Sequence, residues 1–311
     1  MRLRAKLTLT ALALLAVASC GKRADEAAVP SIADAVEAAP VETGPALWRT
    51  GDADTTVYLF GTVHVLRPDL SWRTERVDRA LEASKAIYFE TDVNPNPGQM
   101  MQVVSRLGVY VPPEKLSDKL APEDRAALAD AASKLSLPMF MLDTMRPWLA
   151  AMALSEQLIV KAGYEPTSGV ERTLEPEARA AGREIRKFET VEQQLLFFAD
   201  LPETVQIAYL MEGVREIDKE TTLLDDMVAA WARGDVATLE NIMIEGDLAE
   251  SPEIYEALLV KRNRNWAATL DTLIKTETGV VFVAVGAGHL AGNDSVITLL
   301  MGRGYMVDRV E

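Results

Sequence analysis

The sequence predicts an α/β fold: a central, mainly parallel sheet formed by both chain ends, with a long helical insertion at about residues 95–275. Three observations predict it. Early in the folded part, Thr56-Val-Tyr-Leu-Phe60 and Ala86-Ile-Tyr-Phe-Glu90 read as strands, and Ser71–Ser84 between them places Val77, Ala80 and Leu81 at helical spacing. Strand–helix–strand is the unit of a parallel sheet. Near the end, Gly279–Val285 (GVVFVAV) is an unbroken apolar, β-branched run of the kind buried on both faces of a sheet. Between these regions, apolar residues recur at helical spacing over Leu120–Leu135, Arg146–Ala162, Glu189–Ala199, Glu203–Arg233 and Ser251–Leu273, punctuated by prolines that include Pro147, Pro176, Pro202 and Pro252.

Taken in chain order, residues 1–19 read as a signal segment. Arg2, Arg4 and Lys6 precede an apolar stretch from Leu7 to Val17 that is too short to span a bilayer comfortably. Cys20, the one cysteine of the chain, stands where cleavage is expected, and V-A-S-C resembles a bacterial lipobox. A lipidated Cys20 leaves no thiol for a disulfide, a zinc knuckle or a nucleophile. Residues 20–44 are rich in Ala, Glu, Asp and Pro and lack aromatics, so they read as a disordered tether. Residues 45–311 then form the folded domain. Ala46–Arg49 reads as a strand, Glu184–Glu189 as a short one within the helical region, Val296–Met301 as a helix capped by Asn293-Asp-Ser295, and Tyr305–Val310 as a last strand.

The formal charge is −15, and removing the three basic residues of segment 1–19 takes it to −18. So acidic a surface repels nucleic acid, which argues against a DNA-binding role. The membrane is expected as a partner through the lipid alone. Gly21 after the cysteine directs such a lipoprotein to the outer membrane, facing the periplasm, by resemblance to bacterial sorting patterns.

Two histidines occur in the chain, and both sit in G-x-x-H after an apolar strand: Gly61-Thr-Val-His64 and Gly286-Ala-Gly-His289. With glycine at 18 of 311 positions, accident would place Gly three residues ahead of both in roughly one case in 300. A glycine at a strand's carboxyl end permits a tight turn or close backbone approach, and the imidazole then enters the crevice where open α/β sheets bind ligands. Two neutral imidazoles suit either a divalent metal or proton transfer. Glu90 and Glu189 end two more strand-like runs, so a parallel sheet delivers them to the same edge. Asp92 lies one strand period beyond Glu90. Arg262, on a predicted helix, offers an anion-stabilising cation.

LWRT, TTVYLFGTVHVL and AIYFETDV, then GVERTLEPEARAAGREIRKFETVEQQL, KRNRNW and VFVAVGAGHLAGNDSVITLLMGRGYMVDRV, resemble the successive blocks of the TraB/GumN family, related to the Tiki proteins. The resemblance covers roughly residues 46–311. It implies a sheet-centred fold shared with erythromycin esterase-like and ChaN-like proteins. It also implies a metal-dependent hydrolase site built from Gly61/His64, Glu90 and Gly286/His289, as Tiki proteins are membrane-tethered metalloproteases. On that reading His64, Glu90 and His289 hold a divalent ion (Zn, Mn or Co), Glu90 or Glu189 takes the proton of its water, and the substrate is a peptide or protein. Two alternatives stand beside it: a metal-free, esterase-type hydrolase in which a histidine is the base and a glutamate orients it, and a non-enzymatic haem- or metal-binding lipoprotein.

Overall fold

The computed structural model describes residues 44–217, 220–247 and 251–311. Segment 1–19, Cys20 and the tether up to residue 43 lie outside them. Six strands form one sheet: β1 (Leu47–Gly51), β2 (Thr55–Thr62), β3 (Ala86–Phe89), β4 (Glu184–Lys187), β5 (Gly279–Gly286) and β6 (Asp308–Arg309), in the order β4-β3-β5-β2-β1-β6. β4, β3, β5 and β2 run parallel, while β1 is antiparallel to both β2 and β6. β2, from the first part of the chain, pairs with β5, from the last, over eight positions from Thr55↔Gly279 to Thr62↔Gly286. The two chain ends therefore build one sheet around an inserted helical region.

Alternation along the strands decides which helices cover which face. Val57, Leu59, Val281, Val283 and Val285 pack on the helix Lys261–Thr276 through Trp266, Leu270 and Ile274. Phe60, Ile87, Phe89 and Phe282 face Val77 and Leu81 of the helix Glu75–Ala83, Leu174 of the helix Val170–Ala180, and Trp231. Both faces are covered, which is why β5 is apolar throughout rather than alternating with polar residues. A separate core joins the helices Pro122–Lys134, Pro147–Lys161 and Glu203–Glu216 around Trp148, Leu154 and Leu210.

Four expectations need adjusting. The helix expected from Ser71 begins at Glu75, where the Thr74 hydroxyl caps Val77 N–H at 3.4 Å. The single run expected over Glu203–Arg233 is two helices, Glu203–Glu216 and Glu220–Ala232. The last strand, expected over Tyr305–Val310, pairs with β1 only at Asp308 and Arg309; before them the Met306 carbonyl accepts from the Thr50 side-chain hydroxyl at 2.8 Å instead of joining the backbone ladder. Pro176 lies inside the helix Val170–Ala180 instead of ending it. It costs the one hydrogen bond its missing N–H would give the Arg172 carbonyl, a cost that burial of Val170, Leu174 and Ala178 outweighs.

Candidate functional site

Parallel register brings the carboxyl ends of β2, β3, β4 and β5 to one edge, and His64, Glu90, Glu189 and His289 all lie just past those ends. The glycines of the two G-x-x-H turns have distinct tasks. A side chain on Gly61 would lie 3.1 Å from Ala287 Cα, so Gly61 lets the end of β2 close on the Gly286–His289 turn. Gly286 donates its backbone N–H to Glu90 Oε1 at 2.7 Å. A third glycine is equally constrained. A Cβ on Gly169 would meet the His64 carbonyl oxygen at 2.0 Å, so only glycine admits the start of the helix Val170–Ala180 against the His64 loop. That helix brings Glu171 to the site.

At the centre stands Arg262, 3 % exposed. A guanidinium has five N–H donors in a fixed fork, and all five are used. Nε donates to Glu189 at 3.1 Å. Nη2 meets Glu90 Oε2 at 2.5 Å and Glu189 Oε2 at 3.0 Å. Nη1 donates to the Leu258 carbonyl and to His289 Nε2, each at 3.0 Å. Trp266 Nε1 donates to Glu189 Oε1 at 2.9 Å, and Gln194 Nε2 donates to Glu90 Oε2 at 3.2 Å and to Glu189 Oε2 at 3.3 Å. Two buried carboxylates thus share one cation and a shell of neutral donors, which is what makes their burial tolerable.

His289 is fully buried, and its tautomer follows from its neighbours. Asn263 Nδ2 donates to the Asp294 carbonyl at 2.8 Å, which leaves Asn263 Oδ1 to accept from His289 Nδ1 at 2.5 Å. The proton is therefore on Nδ1, and the Nε2 lone pair accepts from Arg262. Burial, reinforced by the adjacent guanidinium, pushes the His289 pKa down to about 3. Glu90 behaves oppositely to a bare buried acid. Burial alone would raise its pKa, but Arg262, the two histidines and the Gly286 N–H bring it down to about 2. Glu189, through burial, is held above the usual carboxylate range in spite of Arg262.

His64 is differently placed. Its Nδ1 lies 2.7 Å from Glu171 Oε1, which also accepts from the Thr62 hydroxyl. Its Nε2 is buried and has no hydrogen-bond partner. His64, Glu90 and Glu171 line one cavity, with Arg172 and Gln194 on its walls. Burial pulls the His64 pKa down, yet the Glu171 charge and hydrogen bond, with Glu90 beyond, leave it above 6.5.

Glu90, Glu189 and His289, expected at one edge from the sequence, are thus joined through Arg262, expected from its helix only as an anion-stabilising cation, and His64, the fourth residue expected at that edge, shares a cavity with Glu90. Asp92 stands at the cavity wall, exposed and paired with Lys187 at 2.5 Å. Glu171, Gln194, Asn263 and Trp266 join the site beyond the residues the sequence predicts. The signals available for them were the Gly169-Val-Glu171 run and the spacing of Arg262, Asn263 and Trp266, which places all three in the site on one helix.

The metal set expected from the resemblance was His64, Glu90 and His289, and the donors as arranged do not fit one ion. The His289 Nε2 lone pair is taken by Arg262. Both Glu90 oxygens are engaged, by Gly286 on one side and by Arg262 and Gln194 on the other. A metal cation would have to displace the guanidinium between them. Among the described residues, no group of three or more His, Cys, Asp or Glu gathers to hold a metal ion.

The pKa directions give a pH dependence of stability. Below pH 6.5 the unfolded chain protonates His289, whereas the folded chain resists until about 3; Glu90 repeats the pattern from 4.5 down to about 2. For these two groups the unfolded state binds more protons, so their contribution to stability falls as pH falls through this window, by up to about 1.4 kcal/mol per pH unit each, while the upward shifts of His64 and Glu189 contribute the opposite sign. Urea unfolding at pH 7, 6 and 5 should isolate the His289 contribution as a difference: the wild type should lose more stability toward pH 5 than His289→Gln does. An unchanged slope in that variant would remove His289 as its source.

A family model described as the TraB/PrgY/gumN family matches residues 46–309. A curated relative from Treponema pallidum (strain Nichols), described as an uncharacterized protein, is 22 % identical over 309 residues, covering 95 % of this chain and 90 % of that relative. No solved structure matches.

Proposed function

Since the chain belongs to the TraB/PrgY/gumN family, we propose that it is a hydrolase of carbonyl substrates in which His64 is the general base and Glu171 the residue that orients it. The observation that carries this reading is the buried, unpartnered Nε2 of His64 on a cavity wall, with Nδ1 held by Glu171. With its proton on Nδ1, the imidazole offers an Nε2 lone pair to a water O–H. It takes that proton as the water oxygen attacks the carbonyl carbon, then returns it to the leaving group. Glu171 stabilises the imidazolium formed between the two steps. Arg172, whose hydrogen bond goes to the neutral Asn94, carries a positive charge on the same cavity wall and suits the oxygen of the tetrahedral intermediate. Arg262 and His289 stand behind Glu90 as a fixed support.

This is the metal-free, histidine-base alternative of the sequence reading, favoured here because Arg262 occupies the place a shared ion would need. The Cys20 lipobox belongs to the same proposal and would tether the hydrolase to the cell envelope, at the outer membrane facing the periplasm. Among the described residues, no helix is long and apolar enough to cross a membrane.

The test is the pH profile of hydrolysis of a peptide and ester panel, with and without EDTA. Activity should survive EDTA and should fall on the acid side as His64 protonates, at a pH above 6.5. Glu171→Gln removes the charge that favours the imidazolium, so the acid limb should move to lower pH while the plateau drops. Loss of activity in EDTA with recovery on Zn, Mn or Co would overturn the metal-free reading. An acid limb that does not move in Glu171→Gln would overturn the dyad.

A further inference from the structure

Gln194 has a half-used side chain in an otherwise saturated cluster. It is 3 % exposed and lies in the helix Val191–Ala199. Its Nε2 lies between the carboxylates of Glu90 and Glu189, at 3.2 and 3.3 Å. Turning the amide over would set Oε1 against both carboxylates, so its orientation is decided and Oε1 can only accept. That oxygen is buried and has no partner, and Gln194 lines the same cavity as His64. A buried acceptor left unpaired is destabilising, and a ligand that brings a donor to it recovers that loss.

Resting on the hydrolase reading above, we propose that Gln194 Oε1 accepts the N–H of a bound amide, and that this makes the site selective for amides, such as the peptide group, over esters. The bond cleaved or its immediate neighbour would supply the donor. An ester places an oxygen there, and its lone pairs face those of Oε1. A site built to hydrogen-bond a substrate N–H rejects the analogue lacking it far more strongly than an apolar pocket rejects a missing methylene. The Thr91 hydroxyl, also buried without a partner on the same wall, can serve the neighbouring carbonyl.

The experiment compares acetylated tetrapeptide amides with depsipeptides of the same sequence in which one N–H is replaced by oxygen. Binding is measured by calorimetry to His64→Ala, and turnover by mass spectrometry for wild type, His64→Ala and Gln194→Met. The peptides should bind His64→Ala at least ~10-fold more tightly than the depsipeptides. Gln194→Met should lower kcat/KM on the amide by about 10–100-fold and on the ester by less than about 3-fold. Equal losses on both would mean that Gln194 acts on the water or on the carboxylates, and would overturn the proposal. So would equal binding of the two ligands, or no binding of either, a measurement that stands even if Gln194→Met does not fold. Turnover unaffected by His64→Ala would instead defeat the hydrolase mechanism, while the binding comparison still judges Gln194.

Discussion

Replacing Arg262 with methionine is expected to destabilise the protein by about 3–5 kcal/mol, the cost of removing one partner from a buried charge network. Methionine fills most of the volume, so the loss comes chiefly from electrostatics. Glu90 and Glu189 would remain buried beside each other without their shared cation, and His289 Nε2 and the Leu258 carbonyl would lose their donor. Both carboxylates would respond by taking up protons, so the deficit should shrink as pH falls. Arg262→Lys should recover only part of the loss, because three donors on a point charge cannot meet five acceptors in a planar fork. Adding Glu90→Gln and Glu189→Gln to Arg262→Met should restore stability relative to the single variant, since the uncompensated charges then disappear. Urea unfolding measures all of these. A loss below about 1 kcal/mol for Arg262→Met would mean that water reaches the carboxylates and that the cluster is not a desolvated network.

His64→Ala is expected to lower the turnover number by about 10²–10⁴-fold, the range for losing a positioned general base, while leaving the fold intact. The side chain stands on a loop after β2 and contributes no strand pairing. Its removal costs the Glu171 hydrogen bond and opens the cavity by one ring. KM should change little if His64 meets water rather than substrate, so the loss should fall on kcat. The same substitution at His289 should act differently. It would leave one N–H of Arg262 Nη1 and the Asn263 Oδ1 unpaired in the core and should lower stability as well as rate. Comparing melting temperatures and turnover for the two alanine variants therefore separates the base from its support. Equal thermal destabilisation by both, with turnover retained in His64→Ala, would assign His64 to structure instead.

The different fates of the two histidines show where the sequence stops. Each follows a strand and a glycine, and on that pattern they are equivalent. The structure gives His289 a position among Arg262, Asn263 and Trp266 with both ring nitrogens paired, and gives His64 one unpaired nitrogen and a carboxylate partner. What the sequence determined by itself was the strands and the edge at which they end. The apolar runs at Thr56–Phe60, Ala86–Phe89 and Gly279–Val285 dictate strands because their backbones are buried on both faces. A parallel sheet then carries His64, Glu90, Glu189 and His289 to one edge whatever the helices do. What only the tertiary structure decided was which atoms those side chains meet. Glu171 reaches His64 from 107 positions along the chain, and Arg262 reaches Glu90 from 172. Both contacts depend on where helices settle over the strand ends, held by Gly169 against the His64 carbonyl and by Trp266 and Leu270 against the sheet. Hydrogen-bond partners and pKa values are properties of that packing. For that reason, a site legible as two histidines and two acids resolved into a histidine–carboxylate pair on a cavity wall and a separate buried ionic cluster.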